Sequence, residues 1–346
     1  MSAKPTGTVH FVVPAGVDDP ALVSGGNVYD RRLTEGLSAT GWDVRRCEVD
    51  LGSPEEVRAV LTAVPDGGLV LIDGLVAGRV PDELESSATR LRLVVLAHMV
   101  SASFPGADPR AVDDESRAFR AARHVIVTSP WTRSELMSRR LIAPERIVVA
   151  TPGADVAAPA EGTRDGGAVL CVGVVSAHKG QDILIEALGA LRAPPTWRCT
   201  IVGSTDADPG FVEHLEARAA DLGVADRITM TGALAEDDLD AAYRAADLLV
   251  APSRAESYGM AIADALARGI PVVASDVGGI PLAVSPGRAA ILVPPEPQAL
   301  SRALDRWMLD PALRRRLTAE AVRGRASVPR WSDTVDRVAE ALVSVR

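Results

Sequence analysis

The chain has 346 residues, of which 47% are hydrophobic and 24% charged, enough for two cores of ordinary globular composition. Its formal net charge is −9, which argues against broad attraction to nucleic acid or an anionic membrane and leaves anionic ligands to local donors. Cys47, Cys171 and Cys199 are widely spaced without a C-x-x-C pair, so neither a disulfide framework nor a zinc site is supported.

Val9–Val13, broken by His10, is too short for a signal-peptide core, and no stretch reaches membrane-spanning length. The expectation is a cytoplasmic protein with no stable membrane insertion. Short β-branched runs alternate with helix-length segments, the pattern of parallel sheets built from βαβ units. In the first half, strands are predicted at Thr8–Val13, Asp43–Cys47, Leu69–Ile72, Leu93–Ala97, His124–Thr128 and Arg146–Ala150. Helices are predicted at Val28–Ala39, Pro54–Ala63, Pro109–Ala122 and Pro130–Arg140. Ala157–Gly167, AAPAEGTRDGG, has no apolar periodicity and reads as a linker. Beyond it come strand Ala168–Val172, helix Gln181–Leu191, strand Arg198–Val202, helix Gly210–Leu222 and strand Arg227–Thr231. A helix near Asp237–Ala246, strand Leu248–Ala251, helix Gly259–Ala267 and strand Pro271–Ala274 follow. The expected division is a first domain over 1–157, a second over 165–328 and a closing helix over 329–346. Trp331, Val335, Val338 and Leu342 are spaced for one face of that helix. Two Rossmann-like domains with a cleft between them are expected, with ligands beyond the carboxyl ends of the strands.

The most informative segment is Pro252–Gly279, PSRAESYGMAIADALARGIPVVASDVGG. The apolar run Leu248–Ala251 feeds a polar turn, and a helix opening near Gly259 presents unpaired N–H groups and the positive end of its dipole, a place for an anion. Gly259, lacking a Cβ, admits a phosphate or sugar close to the backbone. Glu256 and Asp264 lie eight positions apart, roughly 12 Å along the axis if the whole interval is helical. Alone, such a pair reads as a capping acid and an exposed Asp; the surrounding residues point to a ligand.

That run, with CVGVVSAHKGQDILIEAL (Cys171–Leu188) and SGGNVYDRRL (Ser24–Leu33), resembles glycosyltransferase family 4, the group 1 glycosyl transferases. The three segments are similar, in turn, to that family's E-x7-E donor motif, its phosphate loop, and the glycine-rich loop that opens the first helix of the acceptor domain. The resemblance implies an α/β protein of GT-B fold: two Rossmann-like domains facing a cleft, with a C-terminal helix crossing back to the first. It also implies a retaining transferase that takes its sugar from a nucleoside diphosphate and needs neither metal nor further cofactor.

Carried over, Glu256 contacts donor-sugar hydroxyls and helps to hold the Gly25–Gly26 loop. Met260, Ala261 and Ile262 offer backbone N–H groups at the helix end that Gly259 opens, and Asp264 binds the ribose. Lys179 neutralises the leaving diphosphate, with Gly173 and Gly180 shaping its loop. His98, at the end of a strand-like run, touches the transferred sugar. This sequence departs from the family pattern at Asp264, where Glu is usual, at Val174, where Arg is usual, and at Leu282, which often is Glu. Arg254 is a candidate to share the diphosphate charge that the missing Arg would carry.

Other candidates rank lower. Asp206-Ala207-Asp208 has the form of a metal-binding D-x-D but sits among turn residues. His178 neighbours Lys179 and reads equally as a solvated loop residue. Arg117, Arg120 and Arg123 repeat at helical spacing, usually the mark of a wet face. Pro14-Ala15-Gly16-Val17 is not a dinucleotide fingerprint. The expected reaction is transfer to a hydroxyl of a small soluble acceptor, with no evident enzymatic nucleophile. The alternatives are a sugar-nucleotide-binding protein without turnover and a sugar-nucleotide epimerase on the same fold.

Overall fold

The computed structural model describes residues 7–104, 106–163, 165–194, 196–284 and 289–345, and the chain forms two compact units. The first takes residues 7–18, 26–152 and 331–345. Its strands are β1 (Gly7–Pro14), β2 (Trp42–Val49), β3 (Leu69–Asp73), β4 (Arg92–Ala97), β5 (His124–Val127) and β6 (Ile147–Val149). They form one parallel sheet in the order β2-β1-β3-β4-β5-β6. Its helices are α1 (Gly25–Ala39), α2 (Pro54–Ala63), α3 (Gly74–Ala77), α4 (Pro81–Ser87), α5 (Pro109–Ala121) and α6 (Pro130–Ser138). Prolines open α2, α5 and α6, where a missing N–H costs no hydrogen bond, and Ser53, Asp108 and Ser129 cap them from the preceding position.

Successive strand residues feed opposite faces of this sheet. Val12, Ile72 and Val95 pack with α2, α4 and α5, while Phe11, Leu71 and Val94 pack with Tyr29, Leu33 and Leu37 of α1. Burial on both faces explains why the strands read as continuous apolar runs rather than alternating ones.

The second unit takes residues 19–25 and 153–330. Its strands are β7 (Ala168–Val172), β8 (Arg198–Val202), β9 (Ile228–Met230), β10 (Leu248–Ala251), β11 (Val272–Ser275) and β12 (Ala290–Val293), in the order β12-β11-β10-β7-β8-β9. Its helices are α7 (Gln181–Gly189), α8 (Pro209–Asp221), α9 (Glu236–Ala245), α10 (Met260–Ala267), α11 (Ile280–Ala283), α12 (Pro297–Leu309) and α13 (Pro311–Gly324). The chain then returns to the first unit as α14 (Trp331–Ser344), whose Val335, Val338 and Leu342 join the α1 side of that core.

The structure differs from the sequence reading in several places, three of which concern the unit boundary and the first helix. The described residues of 157–167 do not run free: the Ala160 N–H donates to Arg268 O at 2.9 Å, Glu161 N–H to Arg244 O at 2.9 Å, and the Thr163 hydroxyl to Asp247. The change of unit falls earlier, between Pro152 and Gly153. Third, α1 begins at Gly25 rather than Val28, so Gly25 and Gly26 form its first turn and not a loop.

Candidate functional site

In the second sheet β7 and β10 are neighbours, with Val169 beside Leu248 and Leu170 beside Leu249. The chain leaves β7 towards β8 but leaves β10 towards β11. The segments that follow β7 and β10 therefore emerge side by side at the carboxyl end of the sheet, the switch point where open α/β sheets leave a crevice. Main-chain contacts stitch the two together. The Arg254 N–H donates to His178 O at 2.8 Å. Gly180 has φ 73° and packs so tightly that a Cβ there would lie 2.2 Å from Pro252 O, so only glycine fits. The tight approach at Gly173 is made by its neighbour: a Cβ on Gly203 would lie 2.0 Å from Gly173 O, whereas one on Gly173 would meet only the Lys179 side chain, at 3.6 Å.

This stitching brings Lys179 and Glu256 together. Lys179 Nζ donates to Glu256 Oε2 at 2.7 Å, with both side chains largely shielded from solvent. Burial alone would push the Glu256 carboxyl upward, but the charge and hydrogen bond of Lys179, the Tyr258 N–H and His178 together hold it below the ordinary range. The backbone of the same turn rests on the glycine pair Gly278-Gly279. The Gly279 N–H donates to Glu256 O at 2.9 Å. A Cβ on Gly278 would lie 1.9 Å from Glu256 O, and one on Gly279 would lie 1.9 Å from Ser257 O. Two adjacent glycines at the end of a buried strand were the available signal.

Gly259 caps α10 in the left-handed region, φ 102°, with no side-chain cap. The Met260 and Ala261 amides donate to no described residue, which leaves this end open to an acceptor from outside. Ile262 is a correction: its N–H bonds to Gly259 O at 3.0 Å and its side chain is buried, because the first turn of α10 closes tightly on itself. Asp264 lies one turn further along, half-buried. Burial, with the Asp264 charge adding, pushes the Tyr258 phenol up to about 12. Since α10 starts only at Met260, the straight-helix spacing expected between Glu256 and Asp264 does not apply.

Arg254 is a second correction. Its guanidinium is forked onto Asp182, with Nη1 to Oδ1 at 2.7 Å and Nη2 to Oδ2 at 2.6 Å, and Nη1 also donates to Ala177 O at 2.7 Å. A bidentate pair of this kind fixes geometry, so Arg254 clamps the Lys179 loop instead of facing a ligand with an unengaged fork. Asp208, from the D-x-D, caps α8 by accepting from the Phe211 N–H at 3.0 Å. Arg117 is engaged by Asp82, Glu85 and Asp114.

In the first unit His98 follows β4. Its Nε2 lies 2.8 Å from Asp30 Oδ1 of α1 and 3.1 Å from Asp73 Oδ2 at the end of β3. Both aspartates are buried, and neither was singled out by sequence, where an acid inside an apolar pattern is the only sign. Burial would lower the imidazole pKa, but the charges and hydrogen bonds of Asp30 and Asp73 reverse that and raise it. Burial raises the Asp30 carboxyl in turn, against the pull of His98. Among the described residues this is the one group of three or more His, Cys, Asp or Glu side chains whose ligating atoms converge, within 4.8 Å of one another.

Residues 161–323 match the family model described as glycosyl transferases group 1. The chain is 36% identical over 240 residues to the D-inositol 3-phosphate glycosyltransferase of Acidothermus cellulolyticus, covering 63% of this chain and 52% of that protein. It therefore spans about half the length of that relative. It is 30% identical over 325 residues to D-inositol 3-phosphate glycosyltransferase 1 of Catenulispora acidiphila, covering 84% and 77% respectively. Sucrose-phosphate synthase from Thermosynechococcus elongatus superposes with TM-score 0.80 at 22% identity over 96% of this chain and 97% of that one. Anabaena HepE, solved in complex with UDP-glucose, gives 0.79 at 19% identity over 97% and 99%. These likenesses establish a fold of the GT-B class. The match to the Catenulispora protein reaches well beyond residues 161–323 and takes in both units, and on that extent the chain belongs to the group 1 glycosyl transferases.

Proposed function

We propose that the chain moves a sugar from a nucleoside diphosphate to a hydroxyl of a small polar acceptor, with retention at the anomeric carbon. The observation that carries this reading is the 2.7 Å Lys179–Glu256 pair, four residues ahead of the open amides of Met260 and Ala261. In this reading the diphosphate binds at the start of α10, where unpaired N–H groups and the dipole favour an anion. Lys179 turns part of its hydrogen bonding from Glu256 to the leaving phosphate, Glu256 accepts from sugar hydroxyls, and Asp264 accepts from the ribose. His98 touches the transferred sugar. The bond from the anomeric carbon to the diphosphate breaks with its electron pair going to the phosphate. The acceptor oxygen bonds from the same face, and its proton passes to the departing phosphate oxygen. Stabilising that developing charge and orienting the substrates are the main sources of rate. The name of the relatives, with D-inositol 3-phosphate in it, supports a small polar acceptor.

The test is transfer and donor hydrolysis by the full chain against a panel of uridine, guanosine and adenosine diphosphate sugars, followed by mass spectrometry and by the anomeric coupling of the product. Lys179→Ala and Glu256→Ala each lower turnover ~10²–10³-fold with an unchanged circular dichroism spectrum, and chelator leaves the wild-type rate intact. Unimpaired rates in both variants would remove the assigned roles. A second reading, a donor-binding protein without turnover, is favoured by neutral Val174 and by Arg254 being engaged with Asp182. Tight donor binding with neither transfer nor hydrolysis would select it. A changed sugar nucleotide formed without any acceptor would select an epimerase instead.

A further inference from the structure

Two buried carboxylates that converge on one ring nitrogen are more than packing requires, and the reading above gives Asp30 and Asp73 no role. Nε2 of His98 contacts both, at 2.8 Å and 3.1 Å, and because an ionised carboxylate only accepts, two such partners call for a proton on Nε2, donated inward. Asp73 is itself fixed: its Oδ1 accepts from the Leu75 N–H at 2.6 Å and caps α3. On the ring's other side Tyr29 stands edge-on with centroids 5.1 Å apart, and its hydroxyl is turned away to donate to Ala150 O at 2.9 Å. From the end of β5, the neutral Thr128 hydroxyl donates to the His98 carbonyl at 3.0 Å. From α5, Glu115 is turned to the Ser101 N–H. The groups that act on the imidazole are therefore the two aspartates, and both favour its charged form. Nδ1 makes no hydrogen bond to a described residue, and the side chain keeps 14% of its surface exposed.

We propose that Asp30 and Asp73 are positioning residues that grip His98 by its Nε2 edge as an imidazolium, so that it meets an oxygen of the substrate as a charged Nδ1–H donor and does not serve as a base. The raised imidazole pKa agrees with that geometry. This rests on the reading above only in assigning His98 to the transferred sugar; its charge and orientation belong to the protein alone.

The test begins without substrate. In the ¹⁵N-histidine-labelled full chain, the ring resonances of His98 are identified as those absent from His98→Gln. They keep the doubly protonated pattern from pH 6 to 9. In Asp30→Asn and Asp73→Asn, which retain an acceptor and the α3 cap, the midpoint falls by at least one pH unit. A neutral His98 at pH 7.5 in the wild type overturns the proposal, as does a stoichiometric divalent metal that shifts these resonances. If one variant does not fold, the other and the wild type still decide. In turnover, kcat/KM of either Asn variant falls with rising pH at least one unit earlier than in the wild type, whereas a purely structural role lowers it equally at every pH. An imidazolium in a protein that transfers no sugar would sink the transferase reading and leave this one standing; active transfer with a neutral His98 would do the reverse.

Discussion

At Gly278 and Gly279 the missing side chain matters more than any side chain present. A methyl group at Gly279 would occupy the position of Ser257 O, 1.9 Å away, so the turn that carries Glu256 must shift to admit it. Overpacking of this kind costs ~1–3 kcal/mol, and with Glu256 in its proposed role a displacement of about 1 Å costs on the order of 10² in rate. Gly279→Ala should therefore lower kcat/KM for the donor at least tenfold while melting only several degrees early. Equal losses of activity and folded fraction would mean that the glycine serves the fold alone. The residues proposed to meet the donor were largely legible in sequence, because Lys179 and Glu256 sit in strand–turn–helix contexts whose chemistry is local. The residues that hold them were not. Asp182, which clamps Arg254, and Asp30 and Asp73, which grip His98, act through contacts between distant segments that no spacing rule reports.

Among the elements, those flanking buried strands were legible because a strand covered on both faces is a short unbroken apolar run with turns at each end. Short α3 and α4, between Asp73 and Arg92, went unread because one or two turns of helix leave no measurable period. One consequence of how α5 is tied down can be measured. Glu115 on α5 accepts from the Ser101 N–H at 2.9 Å and 3.1 Å, and burial, outweighing those bonds, pushes its carboxyl up to about 7. A folded pKa above the unfolded value means that this group's stability contribution is full below about 4.5 and lost as pH rises through about 7. The difference corresponds to ~3 kcal/mol at pH 8. Glu115→Gln, which cannot ionise, should melt higher than the wild type at pH 8 and match it at pH 5. Parallel melting curves across that range would show that Glu115 is not strained by burial.

Over the whole molecule, the first unit takes residues from both ends of the described chain, and α14 completes a core that residues 7–18 and 26–152 leave open on one side. The spacing of Trp331, Val335, Val338 and Leu342 was enough to predict an apolar helix face, but not where that face docks, since periodicity reports a stripe and not its partner. Gly36, in the middle of α1, supplies the partner. A Cβ there would lie 2.3 Å from Val335 Cγ2, so the helices approach as closely as a bare backbone allows. In an isolated helix Gly→Ala gains ~1 kcal/mol; here the overlap with Val335 opposes it with ~1–3 kcal/mol of overpacking. Gly36→Ala should therefore destabilise the first unit despite its better helix propensity, and Gly36→Leu should do so strongly. Val335→Ala alone leaves a cavity and is also destabilising. Combined with Gly36→Ala it restores the lost volume, so the double variant should be more stable than the sum of the two changes predicts, with a coupling of ~1 kcal/mol or more. Urea titrations of the four proteins measure that coupling directly, and simple additivity would mean that α14 does not seat on Gly36.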